Sequence, residues 1–179
     1  MMVKFSIQEP LENNKLRLVP LQDTDFEVLY AVAKDPKVWE QHPNKNRFER
    51  SVFQTFFEGA LQSKGAYLVQ DKATGAVLGS TRFYNYNADD SSIFIGYTFY
   101  GTKTWGMGIN PQVKKMMLDY IFDFVAIVYF HVGNANERSK IAMEKLGAKN
   151  MGLEEIAYHG EPNRINVRYA IRKEDYRQA

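Results

Sequence analysis

The chain has 179 residues, a formal net charge of +2 and no cysteine. That length buries a core as one domain, residues 1–179. The near-neutral charge leaves no general nucleic-acid footprint, and the lack of cysteine excludes disulfides, thiolate metal sites and a cysteine nucleophile. The first ten residues lack the apolar core of a signal peptide, and the longest apolar run, Phe124 to Phe130, is too short to span a bilayer. A cytoplasmic protein is expected, with no membrane or nucleic-acid partner and no metal; its oligomeric state is open, a dimer included.

In chain order, Lys15 to Leu21 alternates like a strand. Thr24 and Glu27 stand in capping-box spacing and predict a helix start. Phe48, Val52, Phe56 and Ala60 form the apolar stripe of a second helix that Gly65 ends. Ala66 to Tyr84 reads as two strands joined by a turn at Ala73-Thr74-Gly75, and the loop from Asn85 to Ser92 leads into a strand over Ile93 to Phe99. A glycine-rich turn then opens a helix at Pro111, with Val113, Met116, Met117, Tyr120 and Ile121 on one face. Ala126 to Val132 is a buried strand, and Asn136 to Gly147 a helix with Ile141, Met143 (or Ala142) and Leu146 inside. Asn150 to Tyr158 and Arg164 to Ile171 close the chain as strands. This order predicts a mixed α/β (α+β) domain: a sheet of six or seven strands with helices on both faces.

The segment Tyr100 to Phe122 carries the strongest local signal. Gly101, Gly106 and Gly108 precede a helix whose first turn points free N–H groups and a partial positive charge at one spot. A dinucleotide fingerprint lacks its third glycine here, and a phosphate-loop NTPase its Lys-Ser or Lys-Thr, because Ile109 and Asn110 follow Gly108.

Four motifs in order carry a resemblance: Ile95-Gly96-Tyr97, Trp105-Gly106-Met107-Gly108, Asn136 to Ser139, and Lys145-Leu146-Gly147-Ala148. Together they resemble the GCN5-related N-acetyltransferases (GNAT), in particular the RimJ/RimL-like branch, from about Lys15 to Ile171. The resemblance implies a sheet splayed between the fourth and fifth strands. It also implies an acetyl-CoA co-substrate whose pyrophosphate meets the backbone of Trp105, Gly106, Met107, Gly108, Ile109 and Asn110. The pantetheine arm would lie on the backbone of Tyr97, Thr98 and Phe99, with Asn136 and Ser139 also at the cofactor. Trp105 stands where the family usually has Gln or Arg, so Lys103 is the expected source of charge, and Asn110 replaces a small residue.

The implied reaction is direct acetyl transfer to a primary amine, of a protein N-terminus or a small molecule. The tyrosine some relatives use at sulfur falls at Met143, which leaves Ser139 as the candidate donor to the leaving thiolate. The glutamate some relatives use as base falls at Phe94. His131 is a weaker candidate, with Asp89, Asp90, Glu154 and Glu155 as further substitutes, or the amine arrives neutral. Trp39, Glu40 and His42 lie in the loop that borders the acceptor site in this family, where they would either recognise an amine by an aromatic face and a carboxylate or form an ordinary loop packed on the sheet. A catalytically weak or inactive acyl-CoA-binding module is the alternative, because of Phe94 and Met143.

Overall fold

The computed structural model describes residues 5–157 and 159–178. Eight strands form one sheet: β1 Leu11–Glu12, β2 Leu16–Pro20, β3 Ala66–Asp71, β4 Val77–Asn87, β5 Ser92–Tyr100, β6 Ile127–Gly133, β7 Lys149–Ile156 and β8 Arg164–Arg172. Their order is β1-β2-β3-β4-β5-β6-β8-β7, and every pairing is antiparallel except β5 with β6. The helices are α1 Phe26–Ala33, α2 Arg50–Ser63, α3 Ile109–Ile121, α4 Glu137–Leu146 and α5 Lys173–Gln178. Among the described residues no helix is long and apolar enough to cross a membrane.

Two cores sit on opposite faces of the sheet. On one, Val113, Met117, Leu118 and Ile121 of α3 and Met143 of α4 pack against Phe83, Ile93, Ile95, Val128 and Phe130. On the other, Leu29 and Ala33 of α1 and Phe53, Phe56 and Phe57 of α2 pack with Trp39 and Phe99. The side-chain alternation of β4 and β5 decides what each face receives: Thr81, Phe83 and Ile95 one way, Arg82, Tyr84 and Phe94 the other.

The expected elements form, with corrections at their edges. The short β1 and the terminal α5 were not expected, being too brief for any periodicity to show. The chain enters α1 through a 3-10 turn, Asp23–Asp25, and the capping contact is made by Asp25, whose carboxylate accepts from the Gln22 N–H at 2.8 Å, not by Thr24 and Glu27. Helix α2 buries Phe53, Phe56, Phe57 and Ala60 rather than the Phe48–Val52 side, and its left-handed cap is Lys64 rather than Gly65. Gly65 serves a close approach instead: a Cβ there would lie 2.1 Å from the Phe83 carbonyl oxygen. The inner row of α3 includes Lys114 and Leu118, with Met116 and Tyr120 at its margin. On α4 Ile141 is half exposed. The strand expected to end at Tyr158 is seen to Ile156, and Tyr158 lies outside the described residues.

Candidate active site

The ladder between β5 and β6 is short. Ser92, Ile93 and Phe94 pair with Ile127, Val128 and Tyr129, and beyond them the strands part. A bulge in β5 drives the parting: Ser80 faces Phe99 and Arg82 faces Gly96, so Thr81 alone spans Tyr97 and Thr98. Tyr97 takes the extra residue in the left-handed region, at φ 53°. The Arg82 guanidinium holds its ring from 3.7 Å. The opening is a cavity of about 850 Å³ that runs from the start of α3, between β5 and β6, to the face carrying His131.

At its α3 end Gly106 and Gly108 have φ of 78° and 73°, and a Cβ on either would meet nothing within 4 Å. Gly108 caps the helix, so the N–H groups of Ile109 and Asn110 begin the first turn without intrahelical acceptors. The Asn110 side chain is turned aside by the Tyr100 hydroxyl, which donates to its Oδ1 at 3.0 Å. Trp105 is anchored by its Nε1–H on the Tyr100 carbonyl (3.2 Å), and the Arg138 guanidinium lies 4.0 Å above its ring. The cation at this end is therefore Arg138 from α4; Lys103 is exposed and outside the lining. Backbone donors, helix dipole and arginine together suit a phosphate-bearing ligand.

Helix α4 starts at the same cavity. The Asn136 side chain accepts from the Ser139 N–H at 3.2 Å, fixing the cap and leaving the Ser139 hydroxyl in the lining. Met143 is buried beside it. Across from α4 lies a residue that motif reasoning missed. The Lys114 ammonium is buried, donates to Thr98 Oγ1 at 2.8 Å and Thr81 Oγ1 at 3.4 Å, and lines the cavity. Among the described residues no carboxylate pairs with it. Burial pushes its pKa down to about 7. The signal was its place on the helix, directly after Val113 and three before Met117 on the inward row.

On the opposite face stands a chain of three polar side chains. Glu154 Oε2 lies 3.0 Å from His131 Nε2, and His131 Nδ1 lies 3.4 Å from the Tyr84 hydroxyl. Phe94 packs on the imidazole at 4.6 Å, and Arg168 pairs with Glu154 at 3.1 Å. Burial lowers the His131 pKa against the opposing pull of Glu154, so the ring is neutral at physiological pH. The other substitutes are not brought here: Asp89, Asp90 and Glu155 are exposed and outside the lining.

The loop before α2 walls the same face. His42 lines the cavity; Trp39 and Glu40 do not. Trp39 is wholly buried, its Nε1–H donating to the Ala33 carbonyl at 2.7 Å, and Glu40 points to solvent. His42 is pushed down to about 3, first by burial and then by Arg47 and Arg138. Its residual surface opens into the cavity, and at neutral pH the ring is uncharged. Three contacts pin the loop to the far strands. Pro43 packs where a Cβ on Gly133 would be, at 2.4 Å; Asn44 Oδ1 accepts from Arg164 Nε at 3.0 Å; Arg47 and Glu161 form a buried two-bond ion pair at 2.8 Å.

A sheet parted at its one parallel pairing, with a glycine-capped helix at the opening, defines an acyltransferase-type architecture. The profile of the acetyltransferase (GNAT) domain matches residues 15–149, and the chain belongs to that family. No curated protein sequence matches it significantly. Its fold is similar to that of a GCN5-related N-acetyltransferase from Brucella melitensis (TM-score 0.81, 19% identity, 95% of this chain and 81% of that one). It is also similar to Mycobacterium smegmatis RimJ in complex with CoA-disulfide (0.70, 18%, 93% and 87%). A third is the spermidine N-acetyltransferase of Vibrio cholerae, in complex with CoA and spermine (0.69, 17%, 92% and 99%). Among the described residues no cluster of three or more His, Cys, Asp or Glu is placed to hold a metal ion.

Proposed function

We propose that the protein transfers an acetyl group from acetyl-CoA directly to a primary amine. The observation that carries this reading is the continuous cavity between the open glycine turn at α3 and the His131 face, through the gap in the sheet. The residues fit the co-substrate. Backbone N–H groups from Trp105 to Asn110, with Arg138, would hold its phosphates. The stretch Tyr97 to Phe99, beyond the end of the ladder to β6, would take its amide arm as an added strand, and Asn136 and Ser139 would line the thiol end. Bound acetyl-CoA supplies an activated acyl group, a thioester carbon open to attack.

The chain's own residues do the rest. A backbone N–H near Thr98 can stabilise charge on the carbonyl oxygen. Neutral His131, set by Glu154, can accept a proton by way of the Tyr84 hydroxyl and so takes the place that Phe94 vacates. The Ser139 hydroxyl can hydrogen-bond to sulfur. His42 is the one member of the acceptor loop trio that supports amine recognition by its position. The lining carries Arg47, Lys114, Arg138 and Lys145 against the single carboxylate Glu137 among the described residues. That balance favours an acceptor with one amine, such as a peptide N-terminus, over a polycation.

CoA release from acetyl-CoA, measured over a panel of monoamines, polyamines and N-terminal peptides, tests the activity. Turnover with any acceptor supports it. Binding of acetyl-CoA without turnover across the panel favours the second reading, a binding module, which Phe94 and Met143 motivate. Gly108→Val tests the site: a branched residue at that φ is strained and its side chain fills the approach to the turn. Calorimetry should show acetyl-CoA affinity falling at least tenfold; wild-type affinity in a folded variant removes the phosphate assignment.

A further inference from the structure

Acyl transfer from a thioester needs a proton at sulfur as well as a base at the amine. The site as read above supplies only a hydroxyl there. A serine hydroxyl can solvate a thiolate but is far too weak an acid to neutralise it, and Met143 has no proton to give. Lys114 is a donor the proposed mechanism leaves unused. We propose that Lys114 is the acid of the transfer: its ammonium, held on the Thr98 hydroxyl in the wall of the groove, protonates sulfur as the carbon–sulfur bond breaks. This rests on the acetyl-CoA reading of the cavity.

The geometry points there from three sides. The β5–β6 ladder ends at Phe94 and Tyr129, and the bulge at Tyr97 opens the gap just beyond, so the cavity crosses the sheet at the level of Gly96 to Thr98. Lys114 Nζ sits at that level, 2.8 Å from Thr98 Oγ1. It lies on the helix side, with Thr81 and Thr98, whereas Tyr84, Phe94 and His131 face the other way. An amine arriving at the His131 face meets the carbon from one side, and sulfur is left on the side of α3 and α4. Finally, an ammonium has three donors, and among the described residues two hydroxyls, themselves 3.0 Å apart, receive them.

The groups around Lys114 leave its charge unmatched. From β4 it meets Thr81, from β5 Thr98, and Thr81 in turn reaches the Met117 sulfur on its own helix. Tyr100 gives its hydroxyl to Asn110, and Lys115 points outward to Asp119. Glu137, Arg138 and Lys145 of α4 line the cavity without bonding to Nζ, and His42, Arg47 and His131 belong to the acceptor side. Burial alone lowers the pKa, to a value that suits proton transfer near neutrality. The step balances. The acceptor nitrogen bonds to the acetyl carbon and gives up its proton towards Tyr84 and His131. The carbon–sulfur pair stays on sulfur, Lys114 Nζ adds a proton to it, and solvent returns one to Lys114 as His131 releases to solvent the one it took.

The test reads the thiol of bound CoA and needs no acceptor. Thiolate absorbance in the ultraviolet, followed against pH in the protein–CoA complex, should show thiolate forming at least tenfold more readily than in free CoA titrated alongside. The apparent value belongs to the ammonium–thiol pair. Lys114→Met should return it to that of free CoA while leaving acetyl-CoA affinity within about threefold, and should cut kcat roughly 10²-fold or more. Lys114→Arg keeps the charge but holds its proton near neutrality, so it should retain the depressed value without restoring kcat; a restored kcat would make Lys114 a charge beside sulfur and overturn its role as the acid. A thiol in the wild-type complex that titrates like free CoA overturns the inference, even if no variant folds. So does a depression that survives Lys114→Met. Failure of CoA to bind at all instead overturns the cofactor assignment, and this inference with it.

Discussion

His131 shows how one side chain takes its chemistry from neighbours that the sequence leaves far away. Both ring nitrogens are occupied, by Glu154 at 3.0 Å and Tyr84 at 3.4 Å. Its pKa lies below the usual 6.5, so the base form persists at neutral pH and is lost as pH falls through that lowered value. If His131 is the base, kcat/KM of the wild type should decline on the acid side with that ionisation. His131→Asn should remove this limb and lower the rate roughly 10²-fold. A pH profile unchanged by the substitution would leave His131 a packing residue under Phe94 and imply that the amine binds already neutral.

At the scale of elements, the loop before α2 is strapped to the β7–β8 connection by the Arg47–Glu161 pair. Both side chains are nearly inaccessible, at 4% and 7%, and Arg47 also lies 4.8 Å above the Phe56 ring. Removing one partner of such a pair leaves an uncompensated buried charge. Arg47→Met should cost about 3–5 kcal/mol in urea unfolding, and the double variant with Glu161→Gln should recover more than half of that. An equal loss in single and double variants would mean that Arg47 acts through its ring contacts alone. On the proposed amine-acetyltransferase reading the strap also sets the wall on the acceptor side, so the Michaelis constant for the amine should rise more than that for acetyl-CoA.

The molecule as a whole holds several basic side chains in environments that resist their charge: His42, Lys114 and His131, with Arg82 and Arg138 shifted the same way by burial. For each the folded pKa is below the unfolded value, so the unfolded chain binds the proton more readily and stability falls as pH falls. For the histidines this loss begins near the unfolded 6.5, and for His42 it continues to about 3. For Lys114 it runs from the unfolded 10.5 down to about 7. Between pH 7 and pH 5 the wild type should lose about 1–2 kcal/mol through His42. His42→Gln should flatten that slope in denaturant melts at the two pH values; an unchanged slope would place the loss elsewhere. Lys114→Met should stabilise the protein at neutral pH, because a buried unpaired ammonium is replaced by an apolar side chain of similar length.

Local pattern was enough for what depends on local pattern. The turn at Gly75, the glycine turn that feeds α3, the Asn136 cap and the Gly147 stop of α4 were legible, because turn and cap chemistry is fixed by residues within one turn of each other, although α3 begins at Ile109, two residues before Pro111. Alternation and periodicity placed seven of the eight strands and the long helices, and the spaced motifs pointed to the GNAT family. Helix faces were read less well. On α3 the expected face of Val113, Met116, Met117, Tyr120 and Ile121 is right at Val113, Met117 and Ile121, and only the position of the sheet turns Lys114 and Leu118 inward. Trp39 could be read as recognition or as packing, because an aromatic in a loop carries no mark of burial. The contacts that join distant segments were not legible at all. His131 with Glu154, Arg47 with Glu161, Pro43 on Gly133 and Lys114 on Thr98 pair residues separated by 16 to 114 positions. No propensity links such partners. They meet because an eight-stranded sheet brings its strands into register and then parts between β5 and β6. The sequence by itself determined the elements, their caps and the family; tertiary structure decided which side chains share the cavity and what charge they carry there, since burial and proximity exist only once the chain is folded.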